Sequence, residues 1–179
     1  QLANTFENRK IVLADFGADN DHQFSGFGLD GDGVRYQTPN SSNNHVFYAG
    51  TSTTTSIELM RINGNGNIGI GTSTPNAALQ FGNLIANRRI VFYEAANNDH
   101  QFNGFGLNPG VLRFQVNNTG DDFVYYAGTS ATTSNEIMRI KGNGNIGIGT
   151  TVPAAKLEVS GAGTTEMRIS STGAFGPGR

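Results

Sequence analysis

The stretch Gly64-Asn65-Gly66-Asn67-Ile68-Gly69-Ile70-Gly71-Thr72 returns unchanged as Gly142 to Thr150, and each copy leads to a proline, Pro75 or Pro153. In an extended chain Ile68 and Ile70 share one face and Gly69 and Gly71 the other. A glycine face within a strand marks the close approach of another backbone. Glycine loses more conformational freedom on ordering than any other residue, so a Gly-rich strand needs dense packing around it. A small module with few leucines is poorly equipped to supply that packing. The expectation is that identical chains around a three-fold axis supply it.

Outward from this block the whole chain is duplicated, and a repeat of this length decides how everything else is read. Asp21-His22-Gln23-Phe24 recurs as Asp99-His100-Gln101-Phe102, a shift of 78 residues from His22 to His100. Gly26-Phe27-Gly28-Leu29, Tyr48-Ala49-Gly50-Thr51-Ser52 and Met60-Arg61-Ile62 recur at the same shift, as Gly104 to Leu107, Tyr126 to Ser130 and Met138 to Ile140. Asn8-Arg9-Lys10-Ile11-Val12 matches Asn87-Arg88-Arg89-Ile90-Val91 at a shift of 79, so one residue is lost over Ala14 to Asn20. A one-residue change there reads as a loop or bulge, because a slip inside a paired strand would turn its faces over. The repeats run over residues 6–81 and 84–159, with residues 160–179 as a tail or the start of a further module.

The periodicity is that of strands. Val34 and Tyr36 alternate with Arg35 and Gln37, and Leu112, Phe114 and Val116 with Arg113 and Gln115, placing aromatics on one face and arginine on the other. The runs Val46-Phe47-Tyr48 and Phe123-Val124-Tyr125-Tyr126 read as strands buried on both sides. Turn signals recur at Asp30-Gly31-Asp32-Gly33, Asn63-Gly64, Gly82-Asn83, Asn108-Pro109-Gly110 and Thr119-Gly120. No capped helical stripe is present; the short candidate Ser73 to Leu79 carries Pro75. The predicted fold is all-β, two tandem Gly-rich β modules in an intertwined parallel homotrimer.

Composition narrows the function classes. The chain has 179 residues, 25 glycines, no cysteine, a charged fraction of 15% and a net charge of −2. There is no disulfide framework and no cysteine-based zinc site. No basic footprint exists for a phosphate backbone, so nucleic acid is not expected as a partner. No apolar run approaches the roughly 18 residues of a membrane span, and no membrane insertion is expected. Gln1 is not an initiator, so a fragment or processed product is expected.

The phrase GNGNIGIGT, followed by proline and by Lys156-Leu157-Glu158-Val159 or Leu79-Gln80-Phe81, resembles one common in the shafts of phage tail fibres and tailspikes. It is similar also to phage-fibre-like trimeric adhesins on bacterial surfaces, including prey-binding fibres of predatory bacteria. The resemblance covers about a quarter of the chain. It implies an intertwined homotrimer of short β elements, extracellular, on a cell surface or on a virion. Many relatives end in a self-cleaving chaperone domain; that activity is not carried over to these residues.

Chemical motifs are weaker. Gly26 to Gly31 and Gly64 to Gly69 match the dinucleotide fingerprint G-x-G-x-x-G, which works only between a strand and a helix N-terminus. Asp15, Asp19, Asp21, Asp30 and Asp32 do not follow the spacing of a helical-hand calcium loop, and the second copy has Asn108 and Gly110 for Asp30 and Asp32. Glu58 and Glu136 are equivalent, as are Asp21 and Asp99, which reads as scaffold rather than a glycosidase pair. Asn40-Ser41-Ser42 and Asn117-Asn118-Thr119 match the glycosylation sequon. No cofactor, no metal and no catalytic residue is expected. Candidate receptor contacts are His22, Gln23, His100, Gln101, Tyr36 and Tyr125. Three readings follow: a structural fibre segment that projects or contributes to attachment, with itself and a surface glycan or protein receptor as partners; a carbohydrate-binding module or filament subunit; and a depolymerase.

Overall fold

The computed structural model describes residues 8–15 and 22–161. Among the described residues it is all-β, with fourteen strands and no helix. The chain divides into two compact units, Gln1–Leu84 and Ile85–Arg179. The tail reading over 160–179 falls almost wholly outside the described residues.

In the first unit, β1 (Ile11–Asp15), β2 (Phe24–Asp30) and β3 (Gly33–Gln37) form an antiparallel sheet with β2 in the middle. Along β2, Phe24, Gly26 and Gly28 share one face. The two glycines are obligatory: a Cβ on Gly26 would strike the carbonyl of Ile11, and one on Gly28 that of Asn8. The chain entering β1 thus lies directly over the strand it pairs with. Phe24 is fully buried beneath this crossing, with the Arg9 guanidinium 5.6 Å from its ring centroid. On the other face Ile11, Phe27 and Tyr36 stand in register, and so do Leu29 and Val34.

A second sheet follows, in the order β4 (His45–Gly50), β5 (Ser56–Ile62), β6 (Ile68–Ile70), β7 (Leu79–Phe81). The last pair is parallel, joined only by residues 71–78. Parallel strands ordinarily need a crossover of a dozen residues or more, commonly a helix. Here the sequence makes a shorter one. Gly71 takes φ +69°, turning the chain off the strand. Pro75, buried, then packs back on Gly69, whose added Cβ would sit 2.5 Å from Thr72 O and 3.2 Å from Pro75 Cγ. The Asn67 amide donates to Pro75 O at 3.2 Å, and the Asn76 N–H to Gln80 Oε1 at 2.8 Å.

Two sequence expectations change at this point. Gly71 does not share a face with Gly69, because it has left the strand. The backbone that Gly69 admits belongs to the chain's own crossover, so this glycine by itself gives no argument for a neighbouring chain.

The second unit has its own two sheets. One contains β8 (Ile90–Glu94), β9 (Phe102–Asn108) and β10 (Val111–Gln115), and the other β11 (Asp122–Gly128), β12 (Ser134–Lys141), β13 (Ile146–Ile148) and β14 (Leu157–Val159). A Cβ on Gly104 or Gly106 would strike the carbonyl of Ile90 or Asn87, and Phe102 is fully buried with Arg88 6.0 Å from its ring centroid. β13 and β14 are parallel, Pro153 packs on Gly147, and Asn145 Nδ2 donates to Pro153 O at 3.1 Å.

Strands β1 and β8 are equal in length and bulge at matching residues, Leu13 and Phe92. The one-residue difference between copies is therefore not that bulge. It lies beyond β1, in residues 16–21, outside the described residues.

Within a single chain most apolar side chains are at least partly open. Among the described residues Phe24 and Phe102 are the buried hydrophobic side chains. β4 and β11 are edge strands with a single partner each, so the runs expected to be buried on both sides are open: Phe47 is 48% exposed, Tyr48 61%, Tyr125 54% and Tyr126 60%. On β3 and β10 the alternation is present, and the polar face is the more covered one. Arg35, Gln37, Arg113 and Gln115 are half-buried, while Val34, Tyr36, Leu112 and Phe114 are exposed.

Candidate functional site

Cross-strand neighbours in a ladder point to the same side. In the second sheet of the first unit the register therefore builds two apolar ranks, Phe47–Met60–Ile70–Phe81 and His45–Ile62–Ile68–Leu79. In the second unit the ranks are Tyr125–Met138–Ile148–Val159 and Phe123–Ile140–Ile146–Leu157. The opposite faces carry Arg61–Gly69–Gln80 and Arg139–Gly147–Glu158, and there the crossover loop lies on the glycine. Each sheet is thus covered on its glycine side, while its ranked side holds open residues such as Ile70, Leu79, Ile148 and Leu157.

A bulge explains the principal ion pairs. Register shifts between Phe47 and Tyr48, and between Tyr125 and Tyr126, leave Leu59 and Ile137 as extra residues on their strands. Residues three apart on a regular strand face opposite ways; one extra residue puts them on the same face. Arg61 thereby forks onto Glu58, from Nε at 2.7 Å and Nη2 at 2.6 Å. Arg139 forks onto Glu136 at 2.7 Å from both nitrogens and reaches Asp122 at 2.6 Å. The arginine hydrogen bonds hold the Glu58 and Glu136 carboxyls below the usual carboxylate range, and in return raise both guanidinium groups. A general acid needs the opposite shift.

The six candidate contact residues are dispersed. His22 and Gln23 precede β2 and are exposed; the carbonyl of His22 accepts from the Gln37 amide. His100 and Gln101 precede β9, their N–H groups both donating to Asn98 Oδ1 at 2.9 Å, and the carbonyl of His100 accepts from Gln115 Nε2 at 3.1 Å. Tyr36 stacks on Phe27 at 4.9 Å with a 12° interplanar angle, a cross-strand aromatic pair, and its ring meets that of His45 at 4.5 Å. Tyr125 stands at the open edge of its rank.

Of the six, only His100 lines the groove of the second unit, a hollow of about 340 Å³ where β10 runs into β11. Phe114, Asn117, Thr119, Phe123 and Lys141 line it too, and none of them was singled out as a contact residue from sequence. The signal that could have found them is divergence: Asn117, Phe123 and Lys141 stand where the first copy has Pro39, His45 and Asn63.

The remaining motifs resolve into backbone structure. Gly26 to Gly31 lies within β2 and its hairpin, and Gly64 to Gly69 in a turn entering β6. Neither opens a helix. Asp15 pairs with Arg9 at 2.6 Å and Asp30 with Arg35 at 3.0 Å, whereas Asp19 and Asp21 lie outside the described residues. Among the described residues no three His, Asp or Glu side chains gather as a metal site, and no helix is long and apolar enough to cross a membrane. Asn117 is only 9% exposed, so its sequon sits in a buried corner.

No family model matches the chain, and no curated protein is similar enough to match it.

Proposed function

We propose that the chain is a non-catalytic structural segment of an extracellular fibre, on a cell surface or virion, in which copies of the chain associate through their apolar ranks and project or contribute to attachment. The observation that carries this reading is the outward apolar face. Among the described residues two fully buried phenylalanines are a small core for fourteen strands, while Phe47, Ile70 and Leu79 in the ranks of the first unit and Tyr125, Ile148 and Leu157 in those of the second stand exposed. Apolar surface contributes roughly 25 cal/mol per Å² when removed from water, so these ranks are a large unspent driving force. Monomeric proteins seldom expose contiguous apolar patches of this kind, and larger ones mark interaction sites. A second copy presents the same ranks at the same spacing.

The number three comes from the resemblance of GNGNIGIGT-x-x-P to trimeric fibre shafts. The absence of catalysis is supported by Glu58 and Glu136, each held ionised by an arginine fork rather than poised to donate a proton. Sedimentation equilibrium of the full chain at micromolar concentration tests the reading. A mass three times that of the chain is expected; a folded monomer with cooperative unfolding overturns it.

A further inference from the structure

Both sheets of a unit turn their charge the same way. In the first unit Arg35 with Asp30, and Arg61 with Glu58, lie on the side of the glycines that the chain itself crosses. In the second, Arg113, and Arg139 with Glu136 and Asp122, do the same. The other side of the three-stranded sheets is apolar. Ile11, Phe27 and Tyr36 stand there in register, and so do Ile90, Phe105 and Phe114. Among the described residues no acidic or basic side chain of these strands joins them. A sheet with one wet face ordinarily turns its polar alternates to water. Here the polar alternates face the crossing chain and the apolar ones are left outside, Val34 being 82% exposed. This open side runs on into the ranks. The rings of Tyr36 and His45 meet at 4.5 Å, so the row Ile11–Phe27–Tyr36 continues across β4 as His45–Ile62–Ile68–Leu79. In the second unit Phe114 and Phe123 line one hollow and join the equivalent rows.

We infer that the open side of each three-stranded sheet is covered by another copy of the chain, so that copies associate across both sheets of a unit and not across the ranked sheet alone. The area is of the right size. A half-exposed aromatic or large aliphatic side chain offers about 100 Å², so the open sides of the two three-stranded sheets together present roughly 800 Å² per chain. That is about the share each partner contributes to a standard interface, before the ranks are counted. The chemistry points to a copy as the occupant. A face without charge selects a face without charge, because an ion stripped of water against it would find no partner. The same side of a second chain meets that condition and is present wherever the first is. The inference rests on the proposed association of copies and widens the surface by which they meet; it does not depend on their number.

The test is hydroxyl-radical footprinting of the purified full chain, read by mass spectrometry, with the mass of the sample fixed by sedimentation. Tyrosines of similar exposure in the single chain stand on opposite sides. Tyr36, 49% exposed, and Tyr93, 59%, lie on the open apolar side, whereas Tyr48, 61%, and Tyr126, 60%, share the side of Glu58 and Glu136. Interface cores pack as densely as protein interiors, so Tyr36 should be oxidised roughly three-fold or more slowly than Tyr48, and Tyr93 than Tyr126. Equal rates in either pair overturn the inference. Tyr125, which stands in a rank, separates the two readings. Protection of Tyr125 with Tyr36 and Tyr93 open keeps the ranks as the interface and removes the three-stranded sheets from it. Protection of Tyr36 and Tyr93 with Tyr125 open removes the ranks and keeps the inference. A sample that sediments as a monomer overturns the proposed association and the inference with it. Val34→Asp with Leu112→Asp, both at exposed positions on the open side, should lower the sedimenting mass with the far-UV spectrum unchanged; an unchanged mass overturns the inference.

Discussion

Replacing Gly147 by alanine tests how the Gly-Ile block works. An added Cβ would lie 2.6 Å from the carbonyl oxygen of Thr150 and 3.3 Å from Pro153 Cγ. Ordinary contact begins near 3.4 Å, so the crossover must retreat by about 0.8 Å. Overpacking of a closed site costs about 1–3 kcal/mol, and the retreat also strains the Asn145–Pro153 hydrogen bond, worth about 1 kcal/mol. The expected loss is about 2–4 kcal/mol. Gly128→Ala is the control, since nothing lies within 4 Å of its added Cβ and its φ is unexceptional. There the stiffer unfolded chain favours alanine by about 0.4–1 kcal/mol. Urea unfolding followed by far-UV circular dichroism, at one fixed chain concentration because association moves the midpoint, should separate the two variants by about 1.2–2.5 M for an m-value near 2 kcal/mol/M. If Gly147→Ala unfolds within about 0.5 kcal/mol of Gly128→Ala, the crossover is not packed on the glycine and the reasoning fails.

Truncating either buried ring, Phe24→Ala or Phe102→Ala, should cost about 3–5 kcal/mol in its own unit, read as an early unfolding step by calorimetry. Because the Glu58 and Glu136 carboxyls are held below the usual value, their contribution is present above about pH 4.5 and is lost as pH falls through the folded value; thermal melts between pH 6 and 2 should show that loss flattened in a Glu58→Gln, Glu136→Gln double variant. Ile70→Asp with Ile148→Asp puts charge on exposed rank positions, so it should lower the sedimenting mass of the assembly and leave each unit's far-UV spectrum unchanged. An unchanged mass would remove the ranked face from the interface.

Strand character was legible because the period of two survives whatever covers the strand. Val34-Arg35-Tyr36-Gln37 says that its faces differ; it does not say which face is wet. Tyr48 and Tyr125 are open within a single chain, and a short apolar run looks the same whether its neighbour belongs to the same chain or to another. The parallel pairing of β6 with β7 was illegible by rule, residues 71–78 being shorter than an ordinary crossover. Its determinants, Gly69, Gly71 and Pro75, were all noticed, yet their three-dimensional relation is set by φ at Gly71 and by the Asn67–Pro75 bond. The groove escaped for a different reason. Chemistry was sought in the shared blocks, but Asn117, Phe123 and Lys141 lie where the copies part.

The parallel crossover has a genetic consequence. Ile68 meets Leu79 and Ile146 meets Leu157, eleven residues on in each case, and the nine residues from Gly64 and from Gly142 are identical. Unequal recombination within that block joins β6 of one repeat to a β7-type strand of the other in unbroken register. Deletion or duplication then removes or adds one complete repeat and leaves no strand without its partner. Length becomes a quantity that can drift in whole repeats, while the ladder within each repeat is inherited intact.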